Sequence, residues 1–403
     1  MPSSDNQNIA SAKIVHLSTV HEAIDNRILN KECQTLAARG YDVTLIAQHP
    51  RTEQIHDVTI VGLERPSSRV RRLTQTLAMA VWKALKERPN LLHFHDPELM
   101  IAAPIFRLFG ISVVYDVHED YVTSIRDKSY LGWLRFPLSM AIAVIERFTC
   151  LYCHIVVAER SYQSRFGNCT MVLNYPRDQV ATDTMRGSTR RSGSKAHVNA
   201  AGNQSSSGRL RVLFTGGIHP NRGAVHHAQL VQLHPELEVH LVGRIDASTR
   251  EQLLSAVDSD RQRLVIDGGE QLTPFDHIVD RYNEGNWLAG LAIFPRSIDH
   301  YGKELTKFFE YMAAGIPILC SDFPVWRSLV ETHQCGVVVD PDSTESMQSA
   351  IEYLIAHPDE VERMGKNGLA AAGQYTWDSQ ADNLVELYEK ILTTGKSAVA
   401  VNR

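Results

Sequence analysis

The chain has no excess of either charge. Its 41 lysines and arginines stand against 46 aspartates and glutamates, a formal net charge of −5. That balance gives no basis for wholesale nucleic-acid binding, which needs a basic footprint. Long apolar runs are also missing. The most apolar stretch, residues 137–158, is interrupted by Glu146 and Arg147, so no transmembrane helix is expected there. The start, MPSSDNQNIASAK, lacks the basic beginning and apolar centre of a signal peptide, and a soluble, cytoplasmic protein is expected. Cysteine is scarce. The six (Cys33, Cys150, Cys153, Cys169, Cys320, Cys335) include one C-x-x-C, with no second pair at zinc spacing. That pair, Cys150 and Cys153, reads as buried thiols in a reducing cytosol, with redox or metal use as the alternative.

Hydrophobic residues at 43% and charged residues at 22% are ordinary globular composition. A length of 403 residues exceeds what one core usually serves, so two domains are the default. The composition changes abruptly over Thr182 to Gly208, which is rich in Ser, Gly, Thr and Arg with almost no apolar pattern. The expected division is an N-terminal domain over 1–178, a flexible linker over 179–208, a second domain over 209–376 and a terminal helix over 377–403.

Short β-branched runs alternate with helical patterns from the start. KIVHL (13–17), VTLIA (43–47) and VTIVGL (58–63) read as strands, with STVHEAIDN as a polar turn and 27–38 as a helix. Strand, helix, strand means parallel sheets with helices on their faces, and ligands then bind beyond the carboxyl ends of the strands. Residues 18–27, 93–98 and 116–120 therefore matter most in the first half. They include His21, Asp25 and Arg27, His95 in HFHDPE, and His118 and Glu119 in DVHED. A single such histidine is best read as structural, but two at successive strand ends suggest a site. His95, Asp96, His118 and Glu119 could ligate a metal, yet no helical H-x-x-x-H pairs the ligands, and none is expected. A helix over 67–88, with an apolar stripe at Val70, Leu73, Leu77, Val81 and Leu85, carries Arg69, Arg71 and Arg72. Those arginines read first as a solvated face, with docking to anionic lipid as the alternative.

In the second half, RVLF (211–214) leads into TGGIHPNRG and a helix from Ala224. Gly216 and Gly217 allow close backbone approach, and Arg222 offers a planar fork suited to phosphate. Strands are expected at 239–243, ending on Gly243, at 264–268 and at 287–294. The stretch GKELTKFFEYMAAGIPILCSD (302–322) reads as a short helix closed by Gly315 and followed by a buried strand. Glu310 lies mid-helix, where a buried carboxylate needs a partner, with Lys307 one turn before it. Alone, Lys-x-x-Glu reads as a surface ion pair.

The whole string KxFEYMAAGIPI followed by SDFP, with HFHDPE and YDVHED, closely resembles retaining glycosyltransferases of family 4, whose fold is GT-B. The resemblance covers nearly the whole chain outside the linker and the termini. It implies an α/β chain of two Rossmann-like domains facing across a cleft, with the terminal helix from Trp377 returning to the N-terminal domain. It implies that Glu310 hydrogen-bonds the ribose of a nucleoside diphosphate sugar. Gly216, Gly217, Arg222, Gly243 and Lys307 would hold the donor, with His118, Arg222 and Lys307 at the reacting centre. His21, Asp25, Arg27, His95 and Glu119 would lie on the acceptor side. It further implies a metal-independent enzyme with no permanently bound cofactor. The family's usual first glutamate is replaced by Gly302, with Glu304 out of register, and Gly217 stands where the family has an arginine. Lys307 is expected to supply that missing charge.

The function so implied is sugar transfer to a hydroxyl of a glycan or polyprenol-linked acceptor, in polysaccharide or glycolipid synthesis. Work at the inner face of a membrane, with peripheral contact, is expected by analogy. Two alternatives stay open: an epimerase or hydrolase acting on the donor alone, and a silent nucleotide-sugar-binding subunit.

Overall fold

The computed structural model describes residues 12–177 and 210–400. The described chain falls into two compact units, one formed by Met1–Asn174 with Trp377–Arg403 and the other by Tyr175–Thr376. The division thus comes just after Asn174, ahead of the Ser/Gly-rich 179–208 segment, which lies outside the described residues.

The first unit is built on an eight-stranded sheet. Its strands are β1 (Lys13–Glu22), β2 (Asp42–Gln48), β3 (Glu53–Ile55), β4 (Val58–Leu63), β5 (Leu91–Phe94), β6 (Ser112–Val117), β7 (His154–Val157) and β8 (Thr170–Met171). The spatial order is β3-β4-β2-β1-β5-β6-β7-β8, parallel except for β3 against β4. The order reverses direction between β1 and β5, the switch point where open α/β sheets place ligands.

Helices cover both faces, which is why the central strands are buried nearly throughout rather than alternating between buried and exposed. One face buries Ile14, Leu91 and Val114 against α1 (Asn26–Cys33), a loosely wound helix, and against the terminal helix α8 (Trp377–Ala400), through Trp377, Leu384 and Tyr388. The other buries Val15, Leu92, Phe94 and Val113 under α2 (Leu77–Glu87), α3 (Ala103–Leu108) and α4 (Arg135–Thr149).

Four local expectations need correction. The polar stretch after residue 17 is not a turn, because β1 runs on to Glu22. The helix expected over 67–88 does not bury Val70 and Leu73, which are exposed; Leu77, Ala80 and Ala84 form its inner face. The antiparallel β3, too short for a pattern, was not expected. Cys150 is exposed and Cys153 is half-buried, not buried as expected, because Cys150 follows a helix whose apolar side faces outward.

The second unit has six parallel strands: β9 (Leu210–Thr215), β10 (Leu237–Val242), β11 (Leu264–Asp267), β12 (Trp287–Ala292), β13 (Ile318–Ser321) and β14 (Gly336–Val339). Their order is β11-β10-β9-β12-β13-β14, so the switch point falls between β9 and β12. The helices that frame it are α5 (Ala224–Gln229), α6 (Phe275–Asn283) and α7 (Thr306–Ala313).

Candidate active site

Each unit gathers its chemistry at its own switch point. In the second unit, β9 ends at Thr215 and the chain turns through Gly216, at φ 105°. Gly243, at the end of β10 with φ 146°, lies so close that a Cβ there would fall 1.8 Å from the Gly216 carbonyl oxygen. No other residue fits that approach. A pocket of about 540 Å³ opens beside these glycines, lined among others by Gly216, Gly217, Arg222, Gly243 and Arg244. A Cβ on Gly217 would stand 3.2 Å from Arg222 Nη1, so the bare backbone at 217 makes room for the guanidinium. The helix after the loop, α5, is only six residues long, so little of the positive charge here comes from its dipole.

Behind the loop, α7 presents Lys307 and Glu310. No ion pair joins them. Glu310 is buried, and its Oε2 accepts from the Tyr282 hydroxyl of α6 at 2.8 Å, while that hydroxyl meets Thr215 Oγ1, also at 2.8 Å. Glu310 is therefore tied to the residue just before Gly216. Lys307 Nζ is buried and has no hydrogen-bond acceptor among the described residues, although part of its stem reaches the surface. The ammonium lies 3.6 Å from the Phe214 ring centroid and 5.3 Å from that of Phe294. Burial, with Arg222 nearby, holds its pKa well below the usual ammonium range. His227 is similarly placed. Its Nε2 accepts from the Ile293 amide at 2.9 Å, its Nδ1 is buried without a partner among the described residues, and burial and Lys307 depress its pKa. Among the described residues, Lys307 Nζ and His227 Nδ1 are thus two buried donors without a hydrogen-bond partner, a costly arrangement unless a ligand completes it. Glu304 accepts from the Tyr175 hydroxyl at 3.5 Å.

In the first unit, the period of two along strands places His16 on one face together with His93 and His95, and with Asp116 and His118. His118 Nε2 lies 2.7 Å from Asp116 Oδ2 and 3.1 Å from His95 Nδ1. His95 Nε2 meets His16 Nδ1 at 3.0 Å, and Tyr388 of α8 meets His93 Nδ1 at 2.7 Å. Asp116 accepts from Arg27 Nε and Nη2, each at 2.9 Å. Arg27 also donates to the Val172 carbonyl, so its donors are spent inside the protein. Asp25 caps α1 by accepting from the amides of Arg27 and Ile28. Glu119 is exposed, apart from the cluster.

His21 lies 3.1 Å from Asp96 Oδ1, and Asp96 is also held by the Ser18 hydroxyl and the Thr19 amide. Burial opposes a charge on His21, but the hydrogen bond and charge of Asp96 outweigh it and hold its pKa up to about 9. Burial lowers His95 to about 4, and His16 and His93 well below their usual value.

Glu32, His93, His95 and Asp116 lie close enough together to ligate one ion. However, Arg27 already neutralises the Asp116 carboxylate, and its Nε is 3.1 Å from Glu32 Oε1, so a cation is already in place. Burial and the charge of Asp116 raise the Glu32 pKa.

Tyr282, His227, Phe214 and Tyr388 were not singled out from the sequence. Tyr388 lies far along the chain from its partners, and nothing local marks it.

Residues 26–163 match the model of Glycosyltransferase Family 4, and residues 201–370 match Glycosyl transferases group 1. A D-inositol 3-phosphate glycosyltransferase of Segniliparus rotundus is 30% identical over 110 residues, covering 27% of this chain and 24% of that protein. A phosphatidyl-myo-inositol mannosyltransferase of Mycobacterium leprae is 28% identical over 114 residues, covering 27% and 30%. These alignments span less than a third of the curated relatives. Among solved structures, sucrose-phosphate synthase of Thermosynechococcus elongatus superposes with a TM-score of 0.71 at 16% identity, covering 95% of this chain and 100% of the other. Anabaena HepE in complex with UDP and glucose gives 0.66 at 13% identity, covering 93% and 99%. Two Rossmann-like α/β units, in this order and with these relatives, are the GT-B fold.

Proposed function

We propose that this GT-B-fold chain, whose two halves match glycosyltransferase models, is a glycosyltransferase that moves a sugar from a nucleoside diphosphate sugar to an acceptor hydroxyl with retention. The observation that carries the reading is the buried ammonium of Lys307, without an acceptor among the described residues, against Phe214 and near the Arg222 that lines the glycine pocket. A diphosphate would satisfy that ammonium and the exposed Arg222 fork together, so the proposal includes no metal. Glu310, fixed by Tyr282, takes the ribose hydroxyls. Several neighbours are complexes with UDP or UDP-sugars, which supports a nucleoside diphosphate as the ligand class.

In the reaction, the bond from the anomeric carbon to the diphosphate breaks as charge gathers on the leaving oxygens, where Arg222 and Lys307 oppose it. The acceptor oxygen bonds to the same face of the sugar, and its proton passes to the leaving phosphate. No carboxylate nucleophile is needed, unlike in retaining glycosidases. His118, oriented by Asp116 and His95, positions the sugar. The acceptor is a glycan or polyprenol-linked carrier, met by the residues around His21; His95, expected on the acceptor side, is fully buried and acts only through His118.

The test is a panel of UDP-, GDP- and TDP-sugars screened by thermal shift, followed by turnover with and without acceptor. A donor should raise the melting temperature by mass action. Free sugar released without acceptor would instead identify a hydrolase, and binding without any turnover a silent subunit.

A further inference from the structure

His16, His93 and His95 are fully buried in the first unit, and their neighbours fix which ring nitrogen of each carries the proton. The order starts at Asp116. Burial opposes a charge there, but Arg27 and His118 outweigh it and hold the pKa well below the usual carboxylate range. Asp116 is then ionised and can only accept. His118 Nε2, 2.7 Å from Asp116 Oδ2, donates to it. His95 Nδ1 lies 3.3 Å from the same oxygen. A bare nitrogen at that place would set its lone pair against the carboxylate, so His95 carries its proton on Nδ1.

The rest follows by elimination, because a neutral imidazole has one N–H and one lone pair. Burial keeps His95, His16 and His93 neutral. His95 Nε2 is therefore bare, and His16 Nδ1, 3.0 Å away, donates to it. His16 Nε2 is bare in turn. The Tyr388 hydroxyl of α8 stands 3.3 Å from it and gives its proton there. The same phenol oxygen accepts from His93 Nδ1 at 2.7 Å. Glu32 Oε2, 3.7 Å from His16 Nδ1 and 3.9 Å from His93 Nδ1, favours a proton on both. The bonds thus run one way, from His93 through Tyr388, His16 and His95 to Asp116.

The Tyr388 hydroxyl is the lock on that direction. Without it the lone pair on His16 Nε2 has no donor, and the His16 proton can move there from Nδ1. The bond between His16 and His95 then reverses. His95 Nδ1 is left bare, 3.1 Å from His118 Nε2, and competes with Asp116 for the His118 proton. We infer that Tyr388 is a positioning residue for His118: by donating to His16 it fixes the direction of the buried chain and keeps His118 Nε2–H on Asp116, with Nδ1 left to accept from substrate. The inference rests on the reading of His118 as the group that positions the sugar.

The experiment is nitrogen NMR of the full chain carrying isotope-labelled histidine, for wild type and Tyr388→Phe, together with turnover on the donor. Wild type should show the proton on Nδ1 of His16, His93 and His95 and on Nε2 of His118. Tyr388→Phe keeps the ring, edge-on to Tyr41 at 6.2 Å, and removes only the hydroxyl. Its His16 and His95 should move their protons to Nε2, while kcat falls roughly tenfold or more and donor KM stays within about twofold. Tyr41→Phe takes a hydroxyl from the same layer but outside the chain, and should change neither the spectra nor kcat. Wild-type protein with His16 or His95 protonated on Nε2 overturns the proposal, a result that needs no variant to fold. So does Tyr388→Phe with wild-type tautomers, whether or not kcat falls, or with reversed tautomers and unchanged kcat. Absence of turnover in the wild type would count against the transferase reading, and the spectra would still decide the direction of the chain.

Discussion

The Lys307 ammonium rests 3.6 Å from the centroid of the Phe214 ring, with no hydrogen-bond acceptor among the described residues. A ring face compensates a desolvated charge only in part. Lys307→Met keeps the stem and removes the charge. It should stabilise the unliganded protein by about 1–3 kcal/mol while weakening nucleoside diphosphate binding. Urea denaturation with and without nucleotide checks both signs, and a variant that is both less stable and equally good at binding would refute the role.

Gly217→Ala probes Arg222 without touching it. The backbone at 217 is not left-handed, and the added methyl meets only the guanidinium, 3.2 Å away. Donor KM should rise severalfold with the melting temperature unchanged. Gly243→Ala should behave differently, because its methyl would strike the Gly216 carbonyl. That variant should lose about 3 kcal/mol or more, visible as a lower melting temperature.

Asp116 holds Arg27 and His118 together inside the first unit. Asp116→Ala leaves the Arg27 charge buried without its carboxylate, which should cost about 3–5 kcal/mol. His118→Ala leaves that pair intact. It should lower kcat far more than it weakens donor binding, and equal losses in both would remove His118 from the chemistry.

The histidines set a stability optimum near neutral pH. The unfolded chain protonates its histidines near 6.5, whereas His95 in the fold resists protonation until about 4. Between these values the unfolded state binds more protons, so stability falls with pH, by up to about 3 kcal/mol from His95 alone. His21 works in the opposite direction. Its folded pKa of about 9 gives stability that is full below 6.5 and lost as pH rises through 9. Denaturant midpoints across pH 4.5 to 9.5 should trace a dome, and His21→Gln should flatten its alkaline side.

The sheets and the glycine loop after β9 were legible because their signals are local: β-branched runs, paired glycines, and a long motif around Glu310. The histidine cluster was half legible. HFHD and DVHED flagged strand ends, and their period of two already places both histidines of HFH on one face. What completes the cluster, Glu32 and Tyr388, comes from helices distant in sequence, where no spacing records the contact. The C-x-x-C reading failed for a physical reason: α4, which precedes Cys150, turns Phe136, Met140, Val144 and Phe148 outward and buries Ser139, Glu146 and Thr149.

The most direct test is a calorimetric titration of nucleoside diphosphates into wild type and Glu310→Gln. The account requires that one nucleotide bind the wild-type protein and bind the variant roughly tenfold or more weakly, with both proteins melting at similar temperatures. Equal affinity in the two proteins, or no binding of any nucleoside diphosphate to the wild type, would contradict it.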